Sequence, residues 1–223
     1  MEDSSFGSFV FVAYSKDART TGLLGAIFTQ IIGSVDDIDH LRSVDESESI
    51  RDPNGIILQL LRVNTLVESG GVSTHIGVGA ALRDFALVLA GGLGLSHVCA
   101  VTRCTGFEAR EQSSDFEDYV SIISENGAAS DAGLGFHLKR GAVVLKSVSG
   151  WRPGDTANNG YGVLVLYDLA QLPPLKVSDV ISCLEEVLLI TDIIIFLFFL
   201  FCSRLFSAVR ARHGGTQNLG NSR

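Results

Sequence analysis

Residues 133–169 read GLGFHLKRGAVVLKSVSGWRPGDTANNGYGVLVLYDL, and three elements follow one another there without slack. Leu134 and Leu138 are four residues apart and share one helical face, and Gly141 supplies a helix stop. Ala142 to Val148 then reads as a strand, Trp151-Arg152-Pro153-Gly154-Asp155 as a rigid turn, and the segment running to Leu169 as a closing strand. His137 is therefore expected in the last turn of a helix that leads into a sheet.

Upstream, strands and helices alternate with no internal repeat. Phe9 to Tyr14 and Leu23 to Ile32 read as antiparallel strands around a Lys16-Asp17 turn, and Ile56 to Asn64 as a third strand. Asp36 to Asp52 is acidic and expected to be an exposed connection. Val78, Leu82, Phe85 or Ala86, Leu89 and Leu93 recur at helical spacing until Gly91, Gly92 and Gly94 loosen the end, after which His97 to Thr102 returns as a strand. Ser114 and Glu117 have the spacing of a capping box that opens a helix over Phe116 to Asn126. This order predicts a mixed sheet flanked by helices.

Composition limits what such a body can do. At 223 residues and 46% hydrophobic, the chain can bury one sizeable core, so one domain with a tail is expected. The formal charge of −8 is unevenly spread: Arg204, Arg210, Arg212 and Arg223 follow the last acidic residue, Asp192. Setting those four aside from the 17 basic residues leaves 13 against 25 acidic ones. An acidic body argues against nucleic acid as a partner, because phosphate binding needs clustered Lys and Arg. Cys99, Cys104, Cys183 and Cys202 have no CxxC spacing and no accompanying His pair, so no metal site is expected and the thiols read as reduced and buried.

The Phe9 to Leu169 order resembles that of the GNAT acyl-coenzyme A N-acyltransferase superfamily from its second strand onward. The resemblance implies an α/β (α+β) fold with a mixed, mostly antiparallel sheet flanked by helices. The family's first strand and the one or two helices that go with it are expected to be missing. A family pattern of Tyr followed four residues later by Gly places a general acid beside the acyl thioester; His137 and Gly141 keep that spacing, with His in place of Tyr. The family also holds the coenzyme A pyrophosphate on a loop of Gln or Arg, two residues, Gly, one residue, and Gly or Ala. Thr74, Gly77, Val78, Gly79 and Ala80 occupy this stretch, with Gly77 and Gly79 matching and Thr74 replacing the Gln or Arg. A glycine loop lets an anion approach the main chain, and a helix N-terminus offers orphan donors and a favourable dipole. A tight turn is the alternative reading of the same glycines.

A narrower resemblance rests on Val101-Thr102-Arg103-Cys104, Phe136-His137, Gly150-Trp151-Arg152-Pro153-Gly154-Asp155 and Leu58-Gln59-Leu60-Leu61. Together these are similar to the GNAT-like domains of polyketide synthase loading modules and their stand-alone relatives. In that group a Thr and a His are implicated in decarboxylating malonyl-coenzyme A and an Arg helps hold the carboxylate. By position these become Thr102, His137 and Arg152. The chemistry is coherent in its own right. Decarboxylation leaves an enolate, which an aimed donor stabilises and an acid reprotonates, and an Arg fork matches a carboxylate. Each residue also has a plainer reading: a strand end for Thr102, a dipole-favoured helix-end histidine for His137, and a turn-fixing side chain for Arg152.

Residues 1–172 are thus expected to form the acyl-coenzyme A-binding domain and 173–186, with Pro173-Pro174, a linker. Residues 187–206 contain the run IIIFLFFLFC and read as a hydrophobic, membrane-spanning helix or a buried core helix, and 207–223 as a basic tail. Asp192 weighs against the membrane reading unless it reaches the interface. The body is expected in the cytoplasm, anchored by a single pass, because Glu2 and Asp3 replace the basic opening of a secretion signal. Three functions follow from the resemblance. The first is GNAT-type acyl transfer from acetyl-coenzyme A or another acyl-coenzyme A. The second is malonyl-coenzyme A decarboxylation feeding an acyl carrier protein. The third is a non-catalytic domain tethered to a membrane.

Overall fold

The computed structural model describes residues 7–14, 23–65, 77–108, 115–126 and 131–172. The expected order of elements is present, with boundaries within about two residues. Strands β1 (Ser8–Tyr14), β2 (Leu23–Ile32) and β3 (Ile57–Thr65) lead into helix α1 (Val78–Gly92) and strand β4 (His97–Thr102). Helices α2 (Phe116–Asn126) and α3 (Ala132–Leu138) precede strands β5 (Val143–Val148) and β6 (Gly162–Asp168). The sheet runs β1-β2-β3-β4-β6-β5, and every neighbouring pair is antiparallel except β3 and β4. α1 is the crossover that a parallel pair requires.

Alternation along the strands builds two cores, one on each face of the sheet. In β6, Val163, Val165 and Tyr167 join Leu82 and Ala86 of α1, Tyr119 of α2 and Leu134 of α3 in the larger core. Leu164 points the other way, into a second core with Trp151, Cys99 and Val101. Cys99 and Cys104 are buried free thiols, and burial pushes both up to about 12.

The acidic connection departs from expectation. It forms two 3-10 helices, Val35–His40 and Val44–Ile50, whose apolar side chains cover the second core. Val35 and Ile38 are one 3-10 turn apart, and Leu41 and Val44 follow across an extended link at Leu41 and Ser43; all four pack on the second core while Asp36, Asp39, Asp45 and Glu46 are exposed. Ser34 and Ser43 accept from Asp36 N and Asp45 N and start the two turns. The Lys16-Asp17 turn, Ser114 of the capping box, the 173–186 linker, the 187–206 hydrophobic segment and the 207–223 tail lie outside the described residues. Among the described residues no helix is long and apolar enough to cross a membrane.

Candidate active site

The site begins at a break in the sheet. β3 pairs with β4 only from Ile57 to Leu60, although β3 continues to Thr65 and β4 to Thr102. At the same point Leu60 and Arg62 face consecutive residues of β2, Thr29 and Phe28, so Leu61 is the extra residue of a β-bulge. A bulge bends and twists its strand. The two strands part beyond it, and the wedge between them is a cleft of about 670 Å³.

Thr102, His137 and Arg152 all line this cleft, as does Gly79 from the α1 side. Three different devices bring the first three together. Thr102 ends β4, its Oγ1 lying 3.5 Å from Gly133 O. His137 stands in the last turn of α3, whose start is fixed by the buried N-cap Asp131. That carboxylate accepts from Leu134 N and Gly106 N, both at 2.8 Å, and from the Tyr119 hydroxyl at 2.9 Å. Gly133 lets α3 come this close to β4, because a Cβ there would collide with the carbonyl oxygen of Arg103. Gly141 ends the segment with φ of +94°, the stop expected of it.

Arg152 is carried by the turn between β5 and β6. Its own N–H donates to Gly160 O at 3.0 Å and its carbonyl accepts from Asp155 N at 2.8 Å. Nε of Arg152 is buried and has no hydrogen-bond partner among the described residues. Burial holds this guanidinium below its ordinary range, and the charges of Arg103 and Arg62 press in the same direction. Arg62 and Arg103 also line the cleft, and no carboxylate does so among the described residues. The site is cationic inside an acidic chain.

His137 is buried, and its Nδ1 lies 2.7 Å from the hydroxyl of Tyr167. Burial, and secondly the charge of Arg83, lower His137 to about 3, so the ring is neutral at physiological pH. Arg83 sits with its guanidinium carbon 4.4 Å from the Phe136 ring centroid, donates to Phe136 O, and pairs with Asp84 at 2.8 Å.

Of the residues expected to hold a cofactor, Thr74 lies outside the described residues. Gly77 is the N-cap of α1 with φ of +96°, and Val78, Gly79 and Ala80 form its first turn, which contains no acidic residue. The first intrahelical bond runs from Ala81 N to Gly77 O. The three preceding N–H groups therefore have no acceptor within the helix. A Cβ on Gly79 would make only ordinary contacts, the nearest at 3.6 Å, so protein packing alone does not demand glycine there. Sequence reasoning missed Arg62, Arg103 and Tyr167. Arg103 stood beside Thr102 in a motif already singled out, and Tyr167 was the one hydroxyl on the core-facing side of an apolar strand.

No protein-family model matches the chain, and no curated protein does so. Solved structures do. The loading GNATL domain of CurA from Lyngbya majuscula is 30% identical, the match covering 67% of this chain and 72% of that one with a TM-score of 0.59. The GphF GNAT-like decarboxylase in complex with isobutyryl-CoA is 32% identical, over 73% of this chain and 78% of that one, also with a TM-score of 0.59.

Proposed function

The chain belongs to the GNAT superfamily, among its GNAT-like domains of the loading type, and from that premise we propose that it decarboxylates a malonyl-type acyl-coenzyme A. The observation that carries this reading is the buried, unpartnered Nε of Arg152, set in one cleft with Thr102 and His137. A half-buried guanidinium whose Nε is buried and unpaired favours an anion, and its fork matches a carboxylate in two parallel hydrogen bonds. A malonyl group brings that carboxylate; an acetyl group does not. The name of the GphF relative, a decarboxylase with an acyl-coenzyme A bound, supports the same choice.

Bond by bond, the Cα–carboxylate bond breaks, its electron pair moves into the thioester as an enolate, and carbon dioxide leaves. One proton then adds to Cα, giving the shortened acyl-coenzyme A. The Thr102 hydroxyl or the neutral His137 ring would donate to the developing enolate oxygen; one such preorganised donor is worth about 10²- to 10³-fold in rate. The proton that Cα takes up would come from solvent, while the neutral His137 keeps its own and serves as a hydrogen-bond donor. The donors at the start of α1 would receive the coenzyme A pyrophosphate on Gly77, Val78, Gly79 and Ala80. The product acyl group would pass to the thiol of an acyl carrier protein.

Transfer of an acetyl group to an amine fits this cleft less well. The incoming amine must lose a proton, yet no carboxylate lines the cleft among the described residues, and the Arg62 and Arg152 guanidinium groups that line it repel a cation. The test is incubation of the protein with malonyl- and acetyl-coenzyme A, followed by mass spectrometry of the thioesters. Conversion of malonyl- to acetyl-coenzyme A is the expected result; malonyl-coenzyme A recovered unchanged overturns the reading.

A further inference from the structure

We propose that Tyr167 is a positioning residue for His137: its hydroxyl donates to Nδ1 and so fixes the ring in the tautomer that carries its proton on Nε2, the nitrogen left for the cleft. The proposal rests on the decarboxylase reading for its kinetic consequence, though not for its structural content.

A neutral imidazole has one N–H, and the partner of the other nitrogen decides where it sits. Tyr167 is completely buried on β6, and the only partner of its hydroxyl among the described residues is His137 Nδ1, at 2.7 Å. If Nδ1 carried the proton it would donate to the phenol oxygen, and the phenol O–H would be left buried without an acceptor. Buried donors in folded proteins are paired. The hydroxyl therefore donates, Nδ1 accepts, and the ring proton resides on Nε2. Burial also raises the Tyr167 phenol above its ordinary range, so it keeps the proton it donates.

The charges around the pair hold it in this state. On α1, Arg83 and Asp84 face it; after α3, Arg140 closes on Asp84 at 3.3 Å. Arg83 donates to the carbonyl of Phe136, next to His137, and its cation opposes a second proton on the imidazole. Arg140 and Asp84 offset one another near Tyr167. His137 then acts as a neutral N–H donor of fixed direction, which suits stabilisation of an enolate oxygen.

The test uses the whole chain labelled with ¹⁵N-histidine, the His137 signals being assigned with His137→Gln. Long-range proton–nitrogen correlation should show Nε2 protonated and Nδ1 unprotonated from about pH 5 to 8, without a change of tautomer. Tyr167→Phe keeps the ring and removes only the donor. It should shift proton population to Nδ1 and lower kcat for malonyl-coenzyme A by about 10²-fold while KM stays the same, since Arg152 is untouched. A wild-type ring protonated on Nδ1 overturns the proposal, as does a Tyr167→Phe protein with the wild-type tautomer and kcat. Should that variant fail to fold, the wild-type tautomer decides alone. A wild type that leaves malonyl-coenzyme A intact defeats the functional reading instead, and the tautomer still decides the role of Tyr167.

Discussion

Arg103 grips Asp155 with two nitrogens, Nε to Oδ2 at 2.5 Å and Nη2 to Oδ1 at 2.8 Å, and so ties the end of β4 to the turn that carries Arg152. A second tie runs alongside, from Cys104 N to Asn158 Oδ1 at 3.0 Å, with Asn158 itself donating to Asp155 at 3.3 Å. Thr102 and Arg152 are remote in sequence, and these links set their separation. Asp155→Ala should therefore loosen Arg152 and leave Arg103 an unpaired cation beside it. The expected outcome is a severalfold higher KM for malonyl-coenzyme A. Solvent screens the 44%-exposed Arg103, so most of the stability loss, about 1 to 3 kcal/mol by urea titration, should come from the buried Asn158 amide left without its acceptor. An unchanged KM would detach the ion pair from substrate binding.

Stability should respond to acid through His137. Burial and Arg83 lower the folded ring to about 3, whereas an unfolded histidine titrates near about 6.5. Between these values the unfolded chain binds a proton that the folded chain does not, so acidification favours unfolding. The native state thus keeps its full stability with respect to this ring above about pH 6.5 and loses it progressively as the pH falls toward 3. Urea midpoints at neutral and mildly acidic pH should fall further for the wild type than for His137→Gln, whose side chain does not titrate. Parallel losses in both proteins would mean that the ring is already protonated in the folded state.

Much of the fold was legible because its local signals agree with one another. Apolar alternation in His97 to Thr102 and apolar helical spacing in Val78 to Leu93 each point to the element that formed. Residues 35–44 misled because charge density dominates the reading, while a few apolar side chains set among the acids, Ile38 and Leu41 above all, suffice to cover the second core. The lining of the cleft was legible where a motif carried it: Thr102, His137 and Arg152 lie along it together. The places of Tyr167 and Arg62 were not, since they depend on which strands are neighbours. Tyr167 lies 30 residues from His137 in sequence. Arg62 lines the cleft just past the bulge at Leu61.

Gly79 separates a ligand requirement from a packing one. A side chain there meets Thr65 Cγ2 at 3.6 Å, Val63 Cγ1 at 3.7 Å and Phe136 Cε2 at 3.9 Å, all ordinary contacts. An acid in the first turn of a helix also favours the helix dipole, and α1 has none at present. Gly79→Asp should therefore fold, while its charge opposes pyrophosphate at the same donors and weakens coenzyme A binding by more than about tenfold. Calorimetry giving equal affinities for the two proteins would remove the start of α1 from the binding site.

Arg152→Lys separates the two enzymatic readings. A decarboxylase must hold the malonyl carboxylate while its bond to carbon breaks, and Arg152 is the cleft cation whose Nε lacks a partner. Lysine keeps the charge but offers a mobile point donor in place of a planar fork, so the loss should reflect geometry. Turnover of malonyl-coenzyme A should fall by about 10-fold or more, as expected when a charge-assisted, bidentate contact is lost. Acetyl-coenzyme A presents no carboxylate, and its affinity should stay within about twofold of wild type, because nothing bidentate is removed from it. His137→Ala should cost about 10²-fold in kcat through the lost donor, without the same rise in KM. An acyltransferase would behave otherwise: Arg152→Lys would leave acetyl transfer intact, and malonyl-coenzyme A would not be consumed by either protein. Measuring both thioesters with both variants therefore yields opposite patterns for the two chemistries, and a wild type that consumes neither leaves the non-catalytic reading in their place.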